Sequence, residues 1–341
     1  MAQSMPSGTN TFIPQMVQDN LIVCFSRKPE DFAVNRYCQI VPTPKNQAYY
    51  LYVDGSAAAR LTKADLRNVI WPDGQPRPSG DNNVAEFDFK PIATKRHSYE
   101  FTIGQMAIEQ ADWPIVETNT GFQGQRAMTA RTMSVHAALA AADWGSNTAT
   151  ATSAGGGKVT AGTAASPVFK KIVNAVAQQI RKATFGAVQA RDICAVMSPY
   201  IAEKMSETEE IHTYLKESPF ALAQIRGDAP SQNANYGLPD KLYGINIIVD
   251  DAYKVTSKRG ATLASASVFS EDAIYFVSRP GNLVMPYGGV SFSTIQLFVR
   301  EEMSVEMYPD TKNRITQGYV TDDYGVYVVA PASGYYVTDA I

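Results

Sequence analysis

Between Ile40 and Glu109 the chain makes one very long excursion. Val41-Pro42-Thr43-Pro44-Lys45 leads into Tyr49-Tyr50-Leu51-Tyr52-Val53, and Val84 to Phe89 and Tyr99 to Ile103 read as the returning strands. Between the strand-like ends stands Trp71-Pro72-Asp73-Gly74-Gln75-Pro76-Arg77-Pro78-Ser79-Gly80. Proline lacks the backbone donor and glycine lacks the side chain that a helix interior or a central strand needs, so this stretch continues neither. A connection of this length is uncommon in a compact domain and usually has a task of its own. A hairpin of this kind buries little against its own body, and it makes physical sense when another copy of the chain covers it.

The rest of the composition sets bounds. With 341 residues the chain has room for two domains or one large elaborated one. Hydrophobic residues make up 45% and charged residues only 18%, so little surface is committed to water, as suits a chain with large protein contacts. The net charge is −3, and no Lys/Arg run stands out, so a nucleic-acid surface of the usual basic kind is not supported. Cys24, Cys38 and Cys194 form no CxxC pair and read as buried apolar residues of a protein made in a reducing cytoplasm. Met1 to Asn20 has neither the basic nor the apolar region of a secretory signal. No run approaches the ~18 apolar residues of a membrane span.

Along the chain, residues 1 to about 46 read as an extended arm with apolar patches such as Leu21-Ile22-Val23-Cys24-Phe25, which need a surface to cover them. Leu61 to Leu66 suggests a helical turn within the excursion. From Gly121 to Asp143, Met128, Thr132, Val135, Leu139 and Ala142 form one stripe at helical spacing in an alanine-rich segment. This predicts a long helix lying across a sheet as a spine. Asn147 to Ala165 reads as a flexible loop. Ser166-Pro167 and Ser198-Pro199 each read as an N-cap followed by proline in the first turn, with Gly186 as a stop for the first helix. Ile193 to Met197 and Ile245 to Val249 are predicted buried strands, so 166 to about 255 reads as an α/β domain. Ala273 to Val277, Ser291 to Met307, Tyr324 to Val329 and Tyr335 to Val337 are further predicted strands.

Chemistry-bearing motifs fail one by one. Gly155-Gly156-Gly157-Lys158 lacks the P-loop spacing, having Thr152 and Val159 where glycine and a hydroxyl residue are required. Gly289-Val290-Ser291-Phe292-Ser293 lacks the second glycine of a nucleophile elbow and leads into a strand where that motif needs a helix. His97, His136 and His212 lie far apart, with no metal-binding spacing. His97 reads as a surface residue and His136 as a half-exposed helix residue. The acidic pairs Glu209-Glu210, Asp250-Asp251, Glu301-Glu302 and Asp322-Asp323 read as solvated or interface charge, since neighbours in a strand point to opposite faces. Arg300, Glu301 and Glu302 suggest ion pairs between subunits. Tyr49, Tyr50, Tyr52, Tyr335 and Tyr336 are assigned to exposed or edge strands and favour an interface. No catalytic, cofactor-binding or metal-ligating residue is predicted.

The order of parts carries a resemblance. Val41-Pro42, Lys45 and Tyr49-Tyr50 precede the long hairpin; Tyr99-Glu100-Phe101 and the alanine-rich helix follow it. Leu242-Tyr243-Gly244-Ile245-Asn246-Ile247-Ile248-Val249 lies in the α/β domain, and Leu297-Phe298-Val299-Arg300-Glu301-Glu302 lies near the end. From about Val41 onwards the chain resembles the major capsid proteins of tailed bacteriophages.

The resemblance implies an α+β, Hong Kong 97-type capsid fold. Its parts would be an N-terminal arm (1–46), an extended loop or β-hairpin (47–98), a peripheral domain (99–165 and 266–312) with a spine helix at 121–143, and an axial α/β domain (166–265 and 313–341). It implies a non-enzymatic, homo-oligomeric structural protein of the virion, made in the host bacterial cytoplasm. Hexamers and pentamers would tile an icosahedral shell around double-stranded DNA, with scaffold, portal and decoration or cement proteins as further partners and no membrane. A neutral or acidic face towards packaged DNA agrees with the net charge. No charged helical scaffolding segment is evident at the N-terminus. Lys63 and Asn313 are not identified as a crosslinking pair. The alternatives are an encapsulin-like bacterial compartment, a phage tail or decoration protein, and a soluble hydrolase with a spatially assembled site.

Overall fold

The computed structural model describes residues 27–53, 71, 73–76, 87–258, 260–279 and 293–341. The first described elements are a short helix α1 (Val34–Tyr37) and β1 (Gln39–Pro42). The excursion is an antiparallel hairpin of β2 (Gln47–Val53) and β3 (Phe87–Ala93), followed by β4 (Lys95–Gly104) and α2 (Gln105–Gln110). The spine is α3 (Ile115–Ala141). Next come β5 (Thr148–Thr150), α4 (Ala151–Gly155), α5 (Val168–Ala183) and β6 (Ile193–Met197). Three helices follow, α6 (Pro199–Ser206), α7 (Glu209–Glu217) and α8 (Pro219–Arg226). The remaining described strands are eight: β7 (Lys241–Leu242), β8 (Ile245–Val249), β9 (Tyr253–Val255), β10 (Ser265–Ser267), β11 (Ala273–Ser278), β12 (Ile295–Asp310), β13 (Ile315–Val328) and β14 (Tyr335–Thr338).

Two larger sheets organise the molecule. The six-stranded sheet runs β5-β14-β11-β6-β8-β7. Its central strands are buried on both faces, and the strand period of two explains how. Ile193, Ala195 and Met197 of β6 join Phe169, Ile172, Val176 and Ile201 in one core with α5 and α6. Cys194 and Val196 point the other way, into a second core with Met128, Val135 and Leu139 of α3 and with Phe32, Val34 and Tyr37. Near-continuous apolar runs are what a sheet covered on both faces requires. The four-stranded sheet runs β1-β12-β13-β4, and α3 lies across one face of it.

The structure departs from the expectations at several places. The described part of the arm is built into the body: Phe32, Val34, Tyr37 and Cys38 are core residues, and β1 pairs in parallel with β12. The hairpin ends at Ala93, because Lys95 already pairs with Tyr324 in the four-stranded sheet. The spine begins at Ile115 and not at 121, since Ile115 packs with Phe101 and Ile103 and this burial outweighs the helix-weakening glycines at 121 and 124.

Asn147 to Ala165 is packed structure and not a flexible loop. A Cβ on Gly155 would lie 2.6 Å from Ile172, so its small residues serve close approach to α5. The sheet partners also differ from the expected partition at 266–312 and 313–341. β11 lies within the six-stranded sheet, and β13 lies within the four-stranded one. Leu61 to Leu66 and Leu21 to Phe25 fall outside the described residues.

Candidate assembly surfaces

The β2–β3 hairpin is held at its root and open beyond it. Gly325 stands where a Cβ would lie 2.4 Å from the Ala93 carbonyl oxygen, so only glycine lets β13 come this close. The Tyr327 hydroxyl accepts from Ala93 N at 2.9 Å and donates to Ala93 O at 3.0 Å. Tyr50 stacks on Phe298, with ring centroids 6.2 Å apart, and Ile92 is buried beside it. This is the inward face of the hairpin. Tyr49 pairs with Pro91, and Leu51 pairs with Phe89, which places Tyr49 and Phe89 together on the opposite face. They are 72% and 66% exposed. Trp71 is also exposed and donates its indole N–H to Gln75 O at 2.6 Å.

The second surface is the ribbon of β12 and β13. Beyond Val299, β12 has β13 on one side, while its pairing with β1 ends at Pro42↔Val299. The registers shift between Val299 and Glu301 and again before Ser304, which marks bulges at the exposed edge. Val305, Met307 and Tyr308 are exposed there. Two of the three charges expected between subunits, Arg300 and Glu301, have partners within the chain. Arg300 bonds Asp323 at 2.6 Å, and Arg96 reaches Glu301 at 3.4 Å. Burial raises the Asp323 carboxyl, and hydrogen bonds together with the Arg300 and Arg96 guanidiniums outweigh it and hold it below the usual carboxylate value.

The frame behind these surfaces is tied by buried polar contacts on α3. Arg131 makes a bidentate contact to Asp322 of β13, donating from Nη2 to Oδ1 at 2.7 Å and from Nε to Oδ2 at 3.2 Å. Ser134 meets the Tyr324 hydroxyl at 3.2 Å. Five residues after Arg131, His136 Nε2 lies 2.9 Å from Asp250 Oδ2, and the Tyr37 hydroxyl donates to the same oxygen at 3.0 Å. Arg131 and His136 therefore bind the spine to the two sheets separately. Burial raises the Asp250 carboxyl; the bond and charge of His136, the Ala252 N–H and the Tyr37 hydroxyl lower it further than burial raises it.

His136 is thus a buried anchor and not half-exposed. His97 is partly buried, stacked on Tyr324 with centroids 4.5 Å apart, and His212 is exposed. The three are not brought together. Asp250, Asp322, Asp323 and Glu210 are buried, against the expectation of solvated charge. Glu210 accepts from Phe169 N at 3.0 Å and Lys170 N at 2.9 Å, and so caps α5 in place of Ser166. Ser198 does cap its helix, accepting from Ile201 N. Tyr335 and Tyr336 are interior to their sheet, with Tyr336 stacked on Tyr275 at 4.7 Å. Lys158 of the glycine-rich stretch pairs with Asp339 at 3.2 Å. Residues 289–292 fall outside the described residues, and Ser293 is buried. Cys38 and Cys194 are buried thiols with raised pKa values, caused first by desolvation. Among the described residues no helix is long and apolar enough to cross a membrane, and no cluster of three metal-ligating side chains occurs.

No protein-family model matches the sequence, and no curated protein matches it. Solved structures do. A phage-related protein from Bordetella bronchiseptica is 14% identical with a TM-score of 0.60, covering 91% of this chain and 93% of its own. The capsid of Cyanophage P-SCSP1u is 12% identical with a TM-score of 0.55 and 99% of each chain covered. The mature capsid of bacteriophage PhiM1 is 14% identical with a TM-score of 0.52, covering 99% of this chain and 96% of its own. The chain has the α+β fold of phage capsid subunits over nearly its whole length.

Proposed function

We propose that this chain is the major capsid protein of a tailed bacteriophage. In this reading it self-assembles as hexamers and pentamers into an icosahedral shell of the virion that encloses double-stranded DNA, and its role is structural and not enzymatic. One observation carries the reading: a chain that shares its fold over nearly its full length with phage capsid proteins leaves the outer face of its hairpin, with Tyr49 and Phe89, exposed. A neighbouring copy supplies the missing cover. The six-stranded body then corresponds to the axial domain, and the four-stranded sheet with α3 to the peripheral domain. Contacts that are modest singly become strong when a closed ring engages them together. Scaffold, portal and cement proteins belong to the same reading, as does assembly in the host cytoplasm. The phage names of the matched structures favour it over a bacterial compartment shell.

The test is electron microscopy of the expressed chain, with any neighbouring scaffold gene co-expressed. Closed shells built of five- and six-membered capsomers are expected. A chain lacking residues 71–80 should remain folded by circular dichroism and fail to close shells. Tubes, or a monodisperse monomer under every condition, would overturn the proposal, as would normal shells from the deletion.

A further inference from the structure

The antiparallel pair β9–β10 carries an apolar face that no described residue buries. Val255 stands opposite Ser265 and Tyr253 opposite Ser267, so Tyr253 and Val255 share a face. They are 58% and 62% exposed, and Leu263, two residues ahead of Ser265, is 77% exposed. The Thr256 amide donates to Ala264 O at 2.9 Å and extends the pairing towards Leu263. Two strands alone are marginally stable in water, and a clustered apolar face of this kind marks a surface that something covers.

A second apolar strip belongs to the same chain. Leu21-Ile22-Val23-Cys24-Phe25 is a run of five apolar residues, of which Ile22, Val23 and Phe25 favour strands. Arg27 fixes where that run begins. Its amide donates to Gln125 Oε1 of α3 at 3.1 Å, its guanidinium pairs with Asp251 at 2.5 Å, and the same group lies over the Phe32 ring at 4.8 Å. Asp251 is two residues before Tyr253. The Tyr236 phenol is pushed up to about 12 by burial, then by Asp251 and Tyr253, with Arg27 opposing. Arg27, bound to Asp251, therefore stands beside the start of β9, where Tyr253 opens the apolar face. An extended chain spans at most ~3.6 Å per residue, so Phe25 lies within about 7 Å of Arg27 and Leu21 within about 22 Å.

We propose that Leu21–Phe25 docks on the face formed by Tyr253, Val255 and Leu263 of its own chain. The short tether to Arg27 gives the strip an effective concentration in the millimolar range, against which a free partner must compete. Docking completes the β9–β10 unit with a third apolar segment. The inference stands on the single chain and does not require shell assembly.

The full-length chain tests it. In a Cys24→Ser background, Val23→Cys and Val255→Cys are combined; Cys38 and Cys194 are buried and silent. Mild oxidation should give a disulfide between positions 23 and 255 within one chain, mapped by peptide mass spectrometry in the monomer band. It should form at least about tenfold faster than in a control pairing Val23→Cys with Glu302→Cys, the gain that tethered proximity provides. Equal rates would overturn the proposal, and so would a link joining two chains, which would mean that the strip covers a neighbour. Independently, Leu21→Ser/Val23→Ser/Phe25→Ser should speed amide exchange at Tyr253–Val255 about tenfold. Unchanged exchange there would also overturn it.

Discussion

At the scale of single residues, the spine helix is held by charges that a water-facing helix would not need. Arg131 and Asp322 are both buried, and their bidentate bond leaves neither group a route to solvent. Arg131→Met strands a carboxylate in the core and should cost about 3–5 kcal/mol in urea unfolding; pairing it with Asp322→Leu should recover most of that loss, because a well-packed apolar pair often replaces a buried ion pair at little cost. A double variant no more stable than the single one would show that the two residues are not coupled. Asp250 makes a prediction about pH. Its folded pKa lies below the ordinary carboxylate value, so the unfolded chain binds its proton more readily. The stability it contributes is present above the unfolded value of ~3.9 and is lost as pH falls through the lower folded value. Asp250→Asn should therefore flatten the slope of unfolding free energy against pH below about 4, measured by urea melts at successive pH values. None of these anchors was legible in the sequence. The partner of His136 lies 114 residues away and that of Arg131 lies 191 away, so adjacency in sequence suggested solvated pairs where the fold supplies remote partners.

At the scale of elements, legibility followed the source of the signal. The stripe Met128, Thr132, Val135, Leu139 and Ala142 announced α3 because a helix buries one face by a fixed period; its first four residues are buried, while Ala142 lies just past the helix end and is only partly buried. The buried strands β6 and β8 announced themselves in the same way, by unbroken apolar runs. Sheet membership did not, because pairing is decided between strands far apart. Of β13 only the part from Tyr324 onwards reads as a strand; its earlier half pairs with β4, where Gly318 faces Phe101 and a Cβ would come within 2.2 Å of the ring. The glycines near residue 160 misled for a related reason. They permit close packing as readily as they permit flexibility, and Gly162 is placed where a Cβ would meet Glu210 Oε2 at 2.5 Å. That geometry makes the start of α5 a testable unit. Glu210→Ala removes the acceptor of two helix-terminal N–H groups and should cost about 1–2 kcal/mol. Gly162→Ala alone should destabilise by displacing the same carboxylate. In the double variant the two losses should be clearly less than additive, a coupling of at least about 0.5 kcal/mol in a thermodynamic cycle. Full additivity would mean that Gly162 matters for something other than room for Glu210.

For the whole molecule, the central fact is a mismatch between how well the hairpin is rooted and how little of it is covered. Tyr327, Gly325 and Phe298 fix its base against β13 and β12, so its orientation is set by the folded subunit. Tyr49 and Phe89 sit on its open face and contribute little to the stability of the isolated chain. Replacing both by serine should therefore leave the unfolding free energy of the unassembled chain within the small range typical of surface changes, about ±0.5 kcal/mol per site, measured by urea melts. In a shell each ring would be covered by a neighbour, and burying a large apolar side chain is worth about 1.5–3 kcal/mol. Two rings give roughly 3–6 kcal/mol per subunit, and each 1.4 kcal/mol is a factor of ten in association. The double variant should thus raise the concentration needed for assembly by about two orders of magnitude or more, read by sedimentation or light scattering across a dilution series. Because the root is untouched, Tyr49→Phe should assemble like the parent chain. A parent-like assembly threshold in the double serine variant would place the subunit contacts elsewhere, with the exposed β12 edge carrying Val305, Met307 and Tyr308 as the next surface to vary.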